Sequence, residues 1–185
     1  MGKIEKMSDT RLHWIKKGYE FVSIHGFEKL KIEKLARIVE KPKSSFYYLF
    51  VDLENYTKQL LDFHFQQCCI VSQKESFCES IDPGLVEILT EHKIDLLFNK
   101  QLRINRHNSR FNEIINKTDE VVIIPFLSIW KKDLGLVMSE SQWNGLFSLA
   151  LENFYLQIHV EILTEIWLRE YFSNLKSVIL NIAGK

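Results

Sequence analysis

The chain has 185 residues, is 46% hydrophobic and 12% aromatic, and carries 24 basic against 24 acidic side chains, for a formal net charge of zero. That composition supports a packed core without covalent staples and excludes a disordered or low-complexity chain. Three cysteines, Cys68, Cys69 and Cys78, have neither the even count of a disulfide framework nor zinc-finger spacing, so they are expected as reduced thiols in a cytoplasmic protein.

The segment Met1–Trp14 is charged throughout, so no signal peptide is expected there. The longest apolar run, Val121–Trp130, contains Pro125 and falls short of the roughly 18 residues that a spanning helix needs, so no membrane partner is expected. Charge is unevenly distributed. Residues 1–67 hold 12 basic and 9 acidic side chains, and residues 29–43 alone hold 6 basic against 2 acidic. Positive charge therefore gathers in one short N-terminal segment, as a nucleic-acid contact requires.

Glycine and proline are scarce, at 7 and 3, and apolar residues recur at steps of three and four, which predicts an all-α chain of about nine helices. The first helix is expected to start near Ser8 or Asp9, to bury Leu12, Ile15, Tyr19 and Val22, and to stop before Gly26. A second covers Ile32–Val39, with Leu35, Ala36 and Val39 inward. Pro42 restricts Lys41, so that helix must end by about Glu40. A third runs Lys43–Phe50, and Asp52 caps a long fourth, Leu53 to about Phe77. The clearest break is Ser80–Gly84. Beyond it, helices are expected near 85–99, 101–117, 119–133, 140–161 and 165–183.

The eighth helix has two apolar stripes: Trp143, Phe147, Ala150 and Phe154, and then Leu146, Leu149, Leu156 and Val160. The ninth has Leu168, Tyr171, Leu175, Val178 and Ile182. A helix apolar on two sides must bury both, and a second copy of the chain is the simplest partner. The expected homodimer interface is Trp143, Phe147, Phe154, Leu168, Tyr171, Leu175 and Val178.

Two short helices separated by three residues, with Ala36 inside the first, form a helix-turn-helix. Leu35, Val39, Phe46 and Leu49 would lock the pair. The second helix presents Lys43, Ser44, Ser45, Tyr47 and Tyr48 to a major groove, where lysine and hydroxyl groups reach phosphates and base edges. Adjacent helical residues point about 100° apart, so Tyr47 and Tyr48 cannot both be sealed inside.

From Arg11 to about Tyr56 the chain resembles the TetR family of transcriptional regulators. The resemblance rests on Gly26-Phe27, on Leu35-Ala36, and above all on Lys43-Ser44-Ser45-Phe46-Tyr47-Tyr48-Leu49-Phe50, with Glu54 where the family often has an acid. It implies a helix-turn-helix DNA-binding domain over residues 1–56 and a helical ligand-binding and dimerisation domain over 57–185. It also implies a homodimer on a palindromic double-stranded operator. Lys31, Lys41, Lys43, Ser44, Ser45, Tyr47, Tyr48 and Lys58 are the expected DNA contacts. Three positions depart from the family pattern. Lys31 replaces a capping Ser or Thr. Glu40 stands where the turn usually has glycine. Leu53 replaces a frequent lysine, whose phosphate contact Lys58 could take over.

Phe98, Phe111, Phe126, Trp130 and His159 are candidates for lining a cavity that takes a largely apolar effector, with plain core as the alternative. Lys100, Arg103, Arg106, His107 and Arg110 form a helical stripe that reads as a solvated face, or else as a site for an anionic ligand or a partner. His64 and Cys68 lie four apart beside Cys69. A metal site needs three or four ligands, so core packing is the reading, and no metal or other cofactor is expected. No nucleophile–base pair and no phosphate-binding glycine loop are present, so an enzyme is not expected. The functional expectation is a repressor released from DNA by a small molecule. The alternative is a DNA-binding protein of the same fold that works through a protein partner.

Overall fold

A computed structural model describes the backbone of residues 2–184 and the side chains of residues 9–184. Those residues form nine α-helices and no strand. They are α1 (Gly2–His25), α2 (Ile32–Val39), α3 (Lys43–Phe50), α4 (Leu53–Ser76), α5 (Val86–Glu91), α6 (Lys93–Ile104), α7 (Ser109–Leu134), α8 (Glu140–Gln157) and α9 (Glu165–Ile182). A 3-10 turn at Phe27–Lys29 follows α1, and a wide π-type turn at Ile81–Leu85, closed by the Leu85 amide on the Ser80 carbonyl, precedes α5. Among the described residues, no helix is long and apolar enough to cross a membrane.

Helix ends follow local chemistry. Asp52 accepts a hydrogen bond from the Asn55 amide at 2.7 Å and starts α4. Ser139 and Gln142 form a reciprocal capping box at the start of α8, and Thr164 caps α9. Gly135 ends α7 in the left-handed conformation that glycine adopts without strain.

Several expectations are corrected. Helix α1 begins at Gly2 rather than near Ser8 or Asp9, because nothing before those residues breaks a helix; the Ser8 side chain lies outside the described residues. Leu12 is 41% exposed, and Trp14 is buried in its place. The break expected near residue 100 falls at 105–108 instead, where the Asn108 side chain accepts from the Arg110 amide. The two helices expected at 101–117 and 119–133 are one helix, α7, with Pro125 inside it. Long packing of α7 along α4 outweighs the single backbone hydrogen bond that proline removes.

Two hydrophobic clusters form the interior. The first gathers Trp14, Tyr19, Val22, Leu35, Phe46 and Tyr56, but also Phe98 and Leu102 of α6 and Phe111 and Ile115 of α7. The second joins Leu85, Leu97, Trp130, Phe147, Phe154 and Leu168, from the turn before α5 to α9. Helix α4 runs from the first to the second and packs on α7, while α1 packs on α6. The N-terminal helices are thus seated on the C-terminal ones by shared core.

Candidate nucleic-acid interface and buried cavity

Helices α2 and α3 are built as the sequence predicts, with the same ends. Leu35, Ala36 and Val39 of α2 and Phe46, Leu49 and Phe50 of α3 face inward. Phe46 sits edge-on to Trp14 at 5.5 Å and lies 5.1 Å from both Phe50 and Tyr56. The Tyr56 hydroxyl donates to the Trp14 carbonyl at 2.6 Å. Gly18 makes this approach possible, because a Cβ there would lie 1.8 Å from the Tyr56 hydroxyl.

Two local defects are tolerated. Lys31 starts α2 without a side-chain cap, and Glu40 takes the left-handed conformation at φ 55°. Each costs about 1 kcal/mol. Full burial of each large apolar side chain contributes about 1.5–3 kcal/mol, and the pair of helices buries Leu35, Val39, Phe46, Leu49 and Phe50, so packing wins.

The outward face of α3 carries Lys43, Ser44, Tyr47 and Tyr48. Tyr47 is 50% exposed and Tyr48 76%, and Ser45 is half-buried at the edge. Lys31, Lys41 and Lys58 are all exposed as well. Lys43 Nζ rests on Glu33 Oε1 at 3.1 Å, with both side chains more than half exposed. Such a surface pair contributes little, so a phosphate can take the lysine from it at small cost. Glu54 is engaged by Arg110 at 2.6 Å.

The basic stripe divides: Lys100 and Arg103 of α6 are drawn inward, whereas Arg106, His107 and Arg110 lie beyond the end of α6 and are solvent-exposed. Arg103 is buried, donating to Asn99 Oδ1 at 3.0 Å, to Glu152 at 2.6 Å and to Asp119, with its guanidinium 4.5 Å from the Tyr155 ring centre. Arg106 also reaches Glu152, and Lys100 donates to the Ile158 carbonyl. Asp119 of α7 and Glu152 of α8, far away in sequence, draw Arg103 inward.

Between α4, α6, α7, α8 and α9 lies a cavity of about 80 Å³. A single water needs roughly 10–15 Å³ by this measure, so the space exceeds one water several times over. Of the five aromatic or histidine candidates, only Phe126 lines it. Phe98 and Phe111 belong to the first core cluster, Phe98 stacking on Tyr19 at 4.2 Å and Phe111 packing on Phe27. Trp130 is buried in the second cluster, and His159 is exposed and paired with Glu161. The residues expected at the dimer interface turn inward too. Trp143, Phe147, Phe154, Leu168 and Tyr171 are buried in the chain's own core, and Leu175 lines the cavity. Of that set only Val178 is exposed. Of the second α8 stripe, Leu149 and Leu156 are 73% and 79% exposed, while Leu146 and Val160 pack partly against the second cluster.

The cavity has a polar floor that motif reading missed. The Tyr19 hydroxyl, from α1, donates to Asp95 Oδ1 at 2.8 Å and lies 2.8 Å from His64 Nδ1. With its one proton given to Asp95, the hydroxyl accepts from a protonated Nδ1. His64 Nε2 is then free to accept from Asn99 Nδ2 at 3.4 Å, and Asn99 also donates to Thr118. Cys68 lies 3.6 Å from the same ring, while Cys69 is exposed. Asp95, Asn99, Thr118 and Cys68 all line the cavity, so a chain of hydrogen bonds connects its wall to α1.

Glu75 is buried in the same wall, and burial pushes its carboxyl up from 4.5 to about 8. The signal was in the sequence: Leu61, His64, Cys68, Val71 and Glu75 follow steps of three and four along α4, so the acid falls on the buried stripe. Burial also lowers His64 from 6.5 to about 4. These shifts oppose each other below pH 6.5. The unfolded chain then binds the histidine proton that the folded one refuses, and stability falls towards acid. Folded Glu75 retains a proton that the unfolded chain releases above 4.5, so stability falls as pH rises to about 8. Above pH 6.5 only the Glu75 contribution remains. The wild type is expected to lose about 2 kcal/mol relative to Glu75→Gln between pH 6.5 and 8, measured by urea unfolding of both. Parallel pH profiles for the two proteins would show that Glu75 ionises normally.

No family profile and no curated protein matches the chain. Two solved structures are similar to it over nearly their whole length. A candidate transcriptional regulator from Streptomyces coelicolor A3(2) has 13% identity and a TM-score of 0.56, covering 90% of this chain and 98% of its own. A candidate TetR-family transcriptional regulator from Mesorhizobium loti MAFF303099 has 12% identity and a TM-score of 0.59, covering 95% and 97%. The protein has a TetR-like fold. The resemblance read over residues 11–56 thus extends, as a fold, through the C-terminal helices. In this TetR-like frame α3 occupies the second position of the helix-turn-helix, and α4 connects it to the cavity.

Proposed function

We propose that the protein is a sequence-specific DNA-binding transcriptional regulator, acting as a homodimeric repressor that a small molecule releases from a palindromic operator. The observation that carries this reading is the exposed face of α3, where Lys43, Ser44, Tyr47 and Tyr48 stand beside Lys31 and Lys41. Residues 1–56 are the DNA reader and 57–185 the sensor and dimerisation unit. Two α3 helices about 34–36 Å apart would fit successive major grooves. The two solved regulators of the same fold support the reading, and the cavity favours release by a ligand over control by a protein partner.

The ligand would favour a conformation in which the two α3 helices no longer match the groove spacing. Tyr19 is the physical connection, because it sits on α1 and bonds to the Asp95 carboxylate in the cavity wall. A binding sequence is obtained by selection from a random duplex library with the full chain, and affinity is then read by fluorescence anisotropy across salt concentrations. Lys43→Ala is expected to weaken binding about tenfold and to reduce the magnitude of the salt slope by about 1, since one phosphate contact is lost. A library that yields no enriched sequence, or an unchanged slope, would overturn the reading.

A further inference from the structure

One feature of the cavity is not accounted for by packing. Glu75 is almost wholly buried, and its Oε2 has no hydrogen-bond partner among the described residues. An unpaired buried carboxyl costs stability, whether ionised or neutral. Asp95 also lines the cavity, but it is held by Tyr19 and His92. Among the described residues, no Lys, Arg or His side chain lines the space. The Arg103 guanidinium, 4.5 Å from the ring of the lining Tyr155, is already shared among Asn99, Asp119 and Glu152. Opposite Glu75 the walls are aromatic and aliphatic, with Phe147, Phe154, Tyr171 and Phe172 among them.

We infer that this cavity takes a small lipophilic organic cation, with Glu75 as its counter-ion and the aromatic rings around its apolar part. The inference deepens the sensor reading above and rests on it. Two acids and no base line the cavity, so an arriving cation meets Asp95 and an ionisable Glu75, whereas an anion meets no positive partner. Aromatic faces add attraction for a quaternary ammonium. Burial raises the empty Glu75 towards neutrality, and an arriving positive charge would stabilise its ionised form. The group left unsatisfied in the free protein is thus the one that ligand binding completes. Apolar shape alone would not discriminate between a cation and a neutral molecule of the same outline, whereas Glu75 would.

The test uses the full chain and three probes in equilibrium dialysis: phenyltrimethylammonium, its uncharged isostere tert-butylbenzene, and benzoate. The wild type is expected to bind the cation at least tenfold more tightly than the isostere and to leave benzoate unbound. Glu75→Gln is expected to abolish that tenfold preference while leaving the isostere's affinity unchanged. Equal binding of cation and isostere by the wild type, or a preference that survives in Glu75→Gln, overturns the inference. So does the absence of binding by every probe at millimolar concentration. If Glu75→Gln fails to fold, the wild-type comparison alone decides. Binding of the selected duplex, measured without probes, separates the two failures: DNA binding with no cation preference leaves the regulator and removes only its ligand class.

Discussion

Phe46→Ala is expected to destabilise the protein by about 3–5 kcal/mol and to abolish DNA binding, as read by urea unfolding and by anisotropy on a selected duplex. The phenylalanine is fully buried and is surrounded by Trp14, Phe50 and Tyr56. Three of its neighbours are themselves large rings anchored by other contacts, so they cannot collapse into the space. The side chain also sits on the inner face of α3, and its loss frees the helix that carries Lys43 and Tyr48. Tyr48→Ala is the control. Its ring is 76% exposed, so stability should change by no more than about 0.5 kcal/mol while DNA affinity falls. Comparable unfolding midpoints for the two variants would mean that α3 is not packed through Phe46.

The second large effect concerns the proposed dimer. Leu149 and Leu156 lie seven residues apart on α8 and are 73% and 79% exposed, with Ile166 and Ile182 of α9 also exposed. Isolated exposed leucines need no explanation, but two spaced seven residues apart lie on one face of α8, and that is the face the proposed dimer would use. Leu149→Glu combined with Leu156→Glu is expected to give a monomer in sedimentation equilibrium. The thermal midpoint at low protein concentration should barely change, because neither side chain is in the monomer core. DNA affinity should drop by about 10²–10⁴-fold, the avidity lost when two linked readers become one. A double variant that stays dimeric would show that another face carries the association.

The two proposals fail independently. Tyr48 and Lys43 are read through DNA affinity at fixed assembly, whereas Leu149 and Leu156 are read through assembly itself. The Tyr19–Asp95 hydrogen bond lies between them and ties α1 to the cavity floor.

The sequence by itself determined the all-α class, the ends of α2 and α3, and the outward set on α3. Those features depend on interactions within a few residues: Pro42 stops one helix and opens the next, Asp52 caps α4, and a period of 3.6 separates Phe46 and Leu49 from Lys43, Ser44 and Tyr48. The buried position of Glu75 was also present in the period of α4, yet its meaning was not, because an acid on an apolar stripe is explained only by what stands opposite. Tertiary structure alone decided which α8 stripe faces inward. Trp143, Phe147 and Phe154 alternate with Leu146, Leu149 and Leu156 at the same spacing, and periodicity cannot rank two equal faces. It likewise decided that Phe98 and Phe111 complete the N-terminal core, that Arg103 pairs inward with Asp119 and Glu152, and that α7 runs unbroken through Pro125. Each of these depends on side chains brought together from distant parts of the chain, and local spacing carries no record of such neighbours.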